Sequence, residues 1–224
     1  MKQLLLPLNT VSLYTRTAWT LGDCNKDAMS WVDTWPNWQN VRFVCVFGEA
    51  GSGKTHLAHT FQNKAKAFYW DAKSLELQSP YEMIEEAKVI VLDNADLLSK
   101  DHSEWLFHFY NCVRESDIFL MMTAKKPPTQ WETILPDLKS RLSTIVSVEL
   151  GQPDDALLTA IFQKQLHERG MRASLETIDY LLKHIERSFG AINAWVNKLD
   201  RYAAVHHRTI TIPLIRELLY GNSL

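Results

Sequence analysis

Five short apolar runs punctuate the first two thirds of the chain, at 42–47, 67–70, 88–92, 118–123 and 145–150. Each is short and apolar, reading as a strand rather than a helix. Helix-compatible stretches fall between them, notably 56–67, 103–114 and 136–142. Strands alternating with helices imply an α/β fold with a parallel sheet covered on both sides. Gly151-Gln152-Pro153 marks a break, after which strand signals stop. The stretches 154–169, 175–187, 191–204 and 212–219 all read as helices, the last with Thr211 as N-cap and Pro213 in its first turn. The predicted division is a tail at 1–13, an α/β domain at 14–151 and a small all-helical domain at 152–224. Residues 22–28 form a turn feeding a short amphipathic helix, and Trp31, Trp35 and Trp38 read as packing of this segment over the sheet.

Directly after the first strand stands Gly48, Glu49, Ala50, Gly51, Ser52, Gly53, Lys54, Thr55, a complete G-x-x-x-x-G-K-T phosphate loop entering a helix. Glycines let backbone N–H groups curl around phosphate oxygens, and the helix N-terminus adds partial positive charge. Lys54 is placed to reach the β/γ-phosphates and Thr55 to ligate Mg²⁺. The third strand ends in Asp93, the acid that holds the Mg²⁺ shell opposite Thr55 in such sites. The motif pair predicts binding of ADP or ATP with Mg²⁺. His56, one residue beyond the loop, reads as a helix-side packing residue.

The totals narrow the rest. The chain has 224 residues, 46% hydrophobic and 22% charged, with net charge −2, so bulk electrostatics does not drive nucleic-acid binding. Cys24, Cys45 and Cys112 are far apart without metal-type spacing, and a reducing, cytoplasmic setting suits them. No apolar run approaches membrane-spanning length, so no membrane partner is expected.

An α/β nucleotide domain followed by a helical one resembles the AAA+ layout. In that layout Thr123, at a strand end, is the sensor-1 candidate. Arg141, at the end of a short helix, stands where AAA+ proteins put an arginine finger, and Arg187 suits a sensor-2 arginine reaching back to the chain's own nucleotide. Asn94 follows Asp93 where active AAA+ ATPases carry a carboxylate, so slow intrinsic hydrolysis is expected. Asp96 is a second acid able to compensate. Near the N-terminus, Gln3, Leu4, Leu6 and Leu8 look like the short peptide that bacterial proteins dock into the β sliding clamp, a terminal hydrophobic latch being the rival reading.

The combination resembles the Hda family, DnaA-homologous regulators that inactivate the bacterial replication initiator. Tyr14, Trp19, Gly22, Asn25 and Ala28 look like that family's adenine-side segment, followed in order by the phosphate loop, Asp93, Thr123, Pro127-Pro128, Arg141 and Arg187. No counterpart of the initiator's helix-turn-helix DNA-binding domain follows the lid, so contact with DNA is expected only through the clamp. The resemblance implies a clamp-bound protein that inserts Arg141 toward DnaA-bound ATP and promotes its hydrolysis. A homo-oligomer stays open, since self-association would hide the tail or the finger. A helicase-loader-like protein, a clamp-binding scaffold and a stand-alone ATPase are the alternatives.

Overall fold

The computed structural model describes residues 14–206 and 210–221, so the clamp-type peptide at Gln3 to Leu8 lies outside the described residues. Five strands, β1 Phe43–Phe47, β2 Phe68–Asp71, β3 Val89–Asp93, β4 Phe119–Ala124 and β5 Val146–Glu149, form one sheet in the order β2-β3-β4-β1-β5. All four pairings are parallel. The helices are α1 Lys26–Thr34, α2 Lys54–Ala65, α3 Pro80–Ile84, α4 Leu98–Asp101, α5 Ser103–Glu115, α6 Pro136–Leu142, α7 Asp155–Glu168, α8 Leu175–Leu182, α9 Phe189–His206 and α10 Ile212–Tyr220.

Strand periodicity sorts the apolar runs onto two faces. Val44, Val46, Val91 and Met121 meet Leu57 and Phe61 of α2 and Met29 and Val32 of α1. Cys45, Ile90, Leu92 and Met122 meet Leu106, Phe109 and Val113 of α5 and Leu138 of α6. Burial on both faces explains why these strands read as unbroken apolar runs.

The tryptophans close the first face. Trp38 stacks on Phe61 with centroids 5.1 Å apart, and its indole N–H donates to the Trp31 carbonyl at 2.7 Å. Trp35 meets Phe61 and Phe119 edge-on. These side chains serve packing, as the sequence predicted.

The C-terminal helices have their own core, built on Leu158, Phe162, Ile178, Leu181, Ile192, Val196, Leu199 and Ile215. Asp154 caps α7 through the Leu157 N–H at 2.7 Å, and Ser174 caps α8 through the Thr177 N–H at 3.2 Å. Thr211 holds the N-cap position of α10 without a side-chain capping bond. One helix differs from expectation. The stretch predicted over 175–187 stops at Leu182, and the chain turns before α9 begins. Ser188 starts that next helix, its Oγ accepting from the Ala191 N–H at 3.1 Å. Arg187 therefore lies in a connection rather than on a helix.

Candidate nucleotide site

Parallel sheets bind ligands beyond the carboxyl ends of their strands. Here the loop after β1 emerges between the ends of β4 and β5, with Gly48 N–H donating to the Ala124 carbonyl at 3.2 Å. Gly51 and Gly53 take φ of 75° and 97°, left-handed values that a side chain would strain. Gly53 is also the N-cap of α2, so the loop's N–H groups and the helix terminus share one concavity. Ser52 Oγ is buried there without a hydrogen-bond partner among the described residues. A buried hydroxyl left unpartnered by protein fits a site built for phosphate oxygens.

Lys54 is 9% exposed and arches over the loop, donating to the Gly48 carbonyl at 2.8 Å and the Glu49 carbonyl at 2.7 Å. Burial draws its ammonium below the ordinary lysine range, with Asp93 and Asp96 opposing that shift. Exchanging two neutral carbonyls for charged phosphate oxygens strengthens each hydrogen bond.

Asp93, 1% exposed at the tip of β3, is the hub. Its Oδ2 accepts from Thr55 Oγ1 at 2.8 Å and from the Tyr69 hydroxyl at 2.9 Å, and its Oδ1 accepts from Thr123 Oγ1. Thr123 Oγ1 in turn accepts the Asn94 N–H at 3.0 Å. The structure thus brings Lys54, Thr55, Asp93 and Thr123 to the loop or to one carboxylate. Among the described residues no group of three or more His, Cys, Asp or Glu side chains is arranged as a metal site. Mg²⁺ in nucleotide sites uses one or two carboxylates with phosphate and water; Asp93 and Thr55 would offer it one carboxylate and one hydroxyl, a donor set that fits.

Two participants escaped the sequence reading. Tyr69 and Asp71 sit on β2, whose register sets Asp71 beside Asp93. Asp71 Oδ1 accepts from Asn94 Nδ2 at 2.8 Å. Asp96 instead accepts the Lys125 N–H at 3.2 Å and so secures the turn after β4. Only the strand order reveals Tyr69 and Asp71, because nothing in the local sequence says that β2 borders β3.

The segment from Tyr14 to Ala28, expected on the adenine side, borders the loop. Trp19 packs its ring on Gly53 and meets His56 edge-on at 5.0 Å. Trp19 Nε1 and His56 Nε2 are both buried without hydrogen-bond partners among the described residues. Tyr14 stacks on His59 at 4.5 Å. Asn25 shapes the turn, accepting from Gly22 N–H at 3.0 Å and donating to the Thr20 carbonyl at 3.1 Å. Ala28 is fully buried in the core beneath.

The two arginines lie elsewhere. Arg141, half-buried on α6, holds its guanidinium over Phe107 at 5.1 Å and Tyr110 at 5.8 Å. Among the described residues it has no ion-pair partner. Arg187 pairs with Asp155 at 3.3 Å, both largely exposed. Its neighbours, not Arg187 itself, approach the loop: Ser188 and Gly190 pack against Gly51, and Phe189 against Gly53.

The family described as "Hda, lid domain" matches residues 154–219. An uncharacterised protein of Haemophilus influenzae is 27% identical over 194 residues, covering 79% of this chain and 81% of that one. The chromosomal replication initiator protein DnaA of Borreliella afzelii is 24% identical over 194 residues, covering 78% of this chain and 40% of the initiator. The C-terminal helices match the Hda lid, and the chain is similar in sequence to DnaA and shares its AAA+ fold. It spans less than half the length of that initiator. Domain III of Thermotoga maritima DnaA superposes with a TM-score of 0.78 at 16% identity, over 93% of this chain and 96% of that one. AMPPCP-bound DnaA from Aquifex aeolicus gives 0.71 at 21% identity, over 85% of this chain and 65% of that one. The sheet order, the loop after β1 and the C-terminal helices thus belong to the AAA+ fold. Among the described residues no helix is long and apolar enough to cross a membrane.

Proposed function

We propose that this chain regulates replication initiation by promoting hydrolysis of DnaA-bound ATP in trans while attached to the DNA-loaded β sliding clamp. Arg141 carries the reading. It rests on two aromatic rings of α5 with no ion-pair partner among the described residues, so its charge is held in place yet available to a partner. A guanidinium supplied in trans stabilises charge on transferring phosphoryl oxygens, and such fingers contribute roughly 10³–10⁵ in rate.

The chain's own nucleotide has a structural part in this scheme. ADP or ATP with Mg²⁺ occupies the loop, where Lys54 and Ser52 meet phosphate oxygens and Thr55 and Asp93 hold the ion's hydration shell. Packing of Ser188 and Gly190 against Gly51 joins the bound phosphates to the lid. Asn94 is an amide and cannot accept a proton from water, so the site acts as a structural switch with little turnover of its own.

Gln3, Leu4, Leu6 and Leu8 supply the clamp anchor, apolar side chains filling pockets while the amide fixes register. The test is conversion of ATP-DnaA to ADP-DnaA by this chain, with and without DNA-loaded clamp. Clamp-dependent conversion, abolished by Gln3→Ala with Leu6→Ala, supports the reading. Conversion indifferent to the clamp, or none at all, refutes it.

A further inference from the structure

Asp93 carries an additional donor that the phosphate-loop motif does not require. Thr55 and Tyr69 hydroxyls both point at Oδ2, at 2.8 and 2.9 Å. Thr123 takes Oδ1. Tyr69 reaches this position from β2, one residue ahead of Trp70 and two ahead of Asp71 in the strand that borders β3. Its ring is fixed on the other side by His59, stacked at 4.1 Å, which itself stacks on Tyr14.

We infer that Tyr69 is a positioning residue that weakens the hold of Asp93 on a hydrated divalent cation and thereby sets how strongly nucleotide binding depends on Mg²⁺. This rests on the nucleotide-binding part of the reading above. A carboxylate oxygen has two lone-pair directions. On Oδ2, Thr55 takes one and Tyr69 the other, and when Thr55 turns toward an ion Tyr69 still occupies one of the two. Hydrogen bonds also withdraw charge from the carboxylate, lowering its strength as an acceptor. Thr55 turns its hydroxyl toward the ion in phosphate-loop sites, whereas Tyr69, clamped by the ring stack, keeps its bond.

Tyr69→Phe removes the hydroxyl and leaves the ring stack on His59. The experiment is titration of the wild-type and variant chains with a fluorescent ADP analogue, once in Mg²⁺ and once in EDTA. The inference expects affinity in EDTA unchanged within about twofold and affinity in Mg²⁺ raised about three- to tenfold, the worth of one hydrogen bond. An unchanged ratio of the two affinities, a lower ratio, or an equal change under both conditions overturns it, because a merely structural role moves both affinities together. A wild-type chain that binds no nucleotide under either condition overturns the nucleotide site as well. Thermal melting of ligand-free Tyr69→Phe within a few degrees of wild type confirms that the comparison is between folded proteins.

Discussion

Asn94 Nδ2 donates a 2.8 Å hydrogen bond to Asp71 Oδ1, joining the tips of β3 and β2 beside the Asp93 carboxylate. Asn94 sits at φ 58°, a left-handed conformation that asparagine tolerates better than most residues. The amide therefore has two jobs: it fits a tight turn and neutralises contact between neighbouring carboxylates. An aspartate tolerates the same backbone but would oppose Asp71 with like charge.

Asn94→Asp is accordingly expected to destabilise the fold by roughly 1–3 kcal/mol, the cost of losing the bond and leaving a half-buried acceptor facing another acid. Adding Asp71→Asn restores an amide–carboxylate pair with the roles exchanged. Urea unfolding of the two single variants and the double variant checks this, with recovery in the double variant the expected outcome. The double variant also places a carboxylate after Asp93, so a rise in intrinsic ATP turnover is expected there and not in Asp71→Asn alone.

Gly48 is required for space. A Cβ there would lie 2.4 Å from the backbone oxygen of Leu150, which follows β5. Gly48→Ala must push apart the start of the phosphate loop and the end of β5, costing about 1–3 kcal/mol. Chemical denaturation measures the loss, and nucleotide affinity is expected to fall with it because the displaced loop carries the phosphate-facing N–H groups.

His56 gives a pH signature. Burial, with smaller contributions from His59 and Lys164, lowers its pKa below the ordinary histidine value. The unfolded chain thus takes up a proton at a pH where the folded one resists it. Stability from this group is full above about pH 6.5 and is lost as pH falls through that value toward the folded pKa. His56→Gln is expected to show a smaller drop in unfolding midpoint between pH 7.5 and 5.5 than wild type does. An identical drop in both would show that His56 contributes nothing to the acid sensitivity.

Much of this architecture was legible because its signals are local. The run from Gly48 to Thr55 carries its own geometry, and the buried strands announce themselves by unbroken apolar residues. Asp93 and Thr123 were legible as strand ends, and the register brings their side chains together. Tyr69 and Asp71 were not, since their meaning depends on which strand neighbours which. The end of α8 was missed for a related reason. Residues 183–187 have acceptable helix propensity, but the Ser188 cap and the contact of Gly190 with Gly51 start a new helix there. The support of Arg141 by Phe107 and Tyr110 likewise joins residues from two helices that periodicity alone cannot pair.

The role proposed for Arg141 is tested by single-turnover hydrolysis of DnaA-bound ATP in the presence of DNA-loaded clamp. The wild-type chain is expected to accelerate hydrolysis strongly, and Arg141→Ala to return the rate to that of DnaA and clamp alone while still binding nucleotide and clamp. Full acceleration by Arg141→Ala, or none by the wild-type chain, would contradict that role.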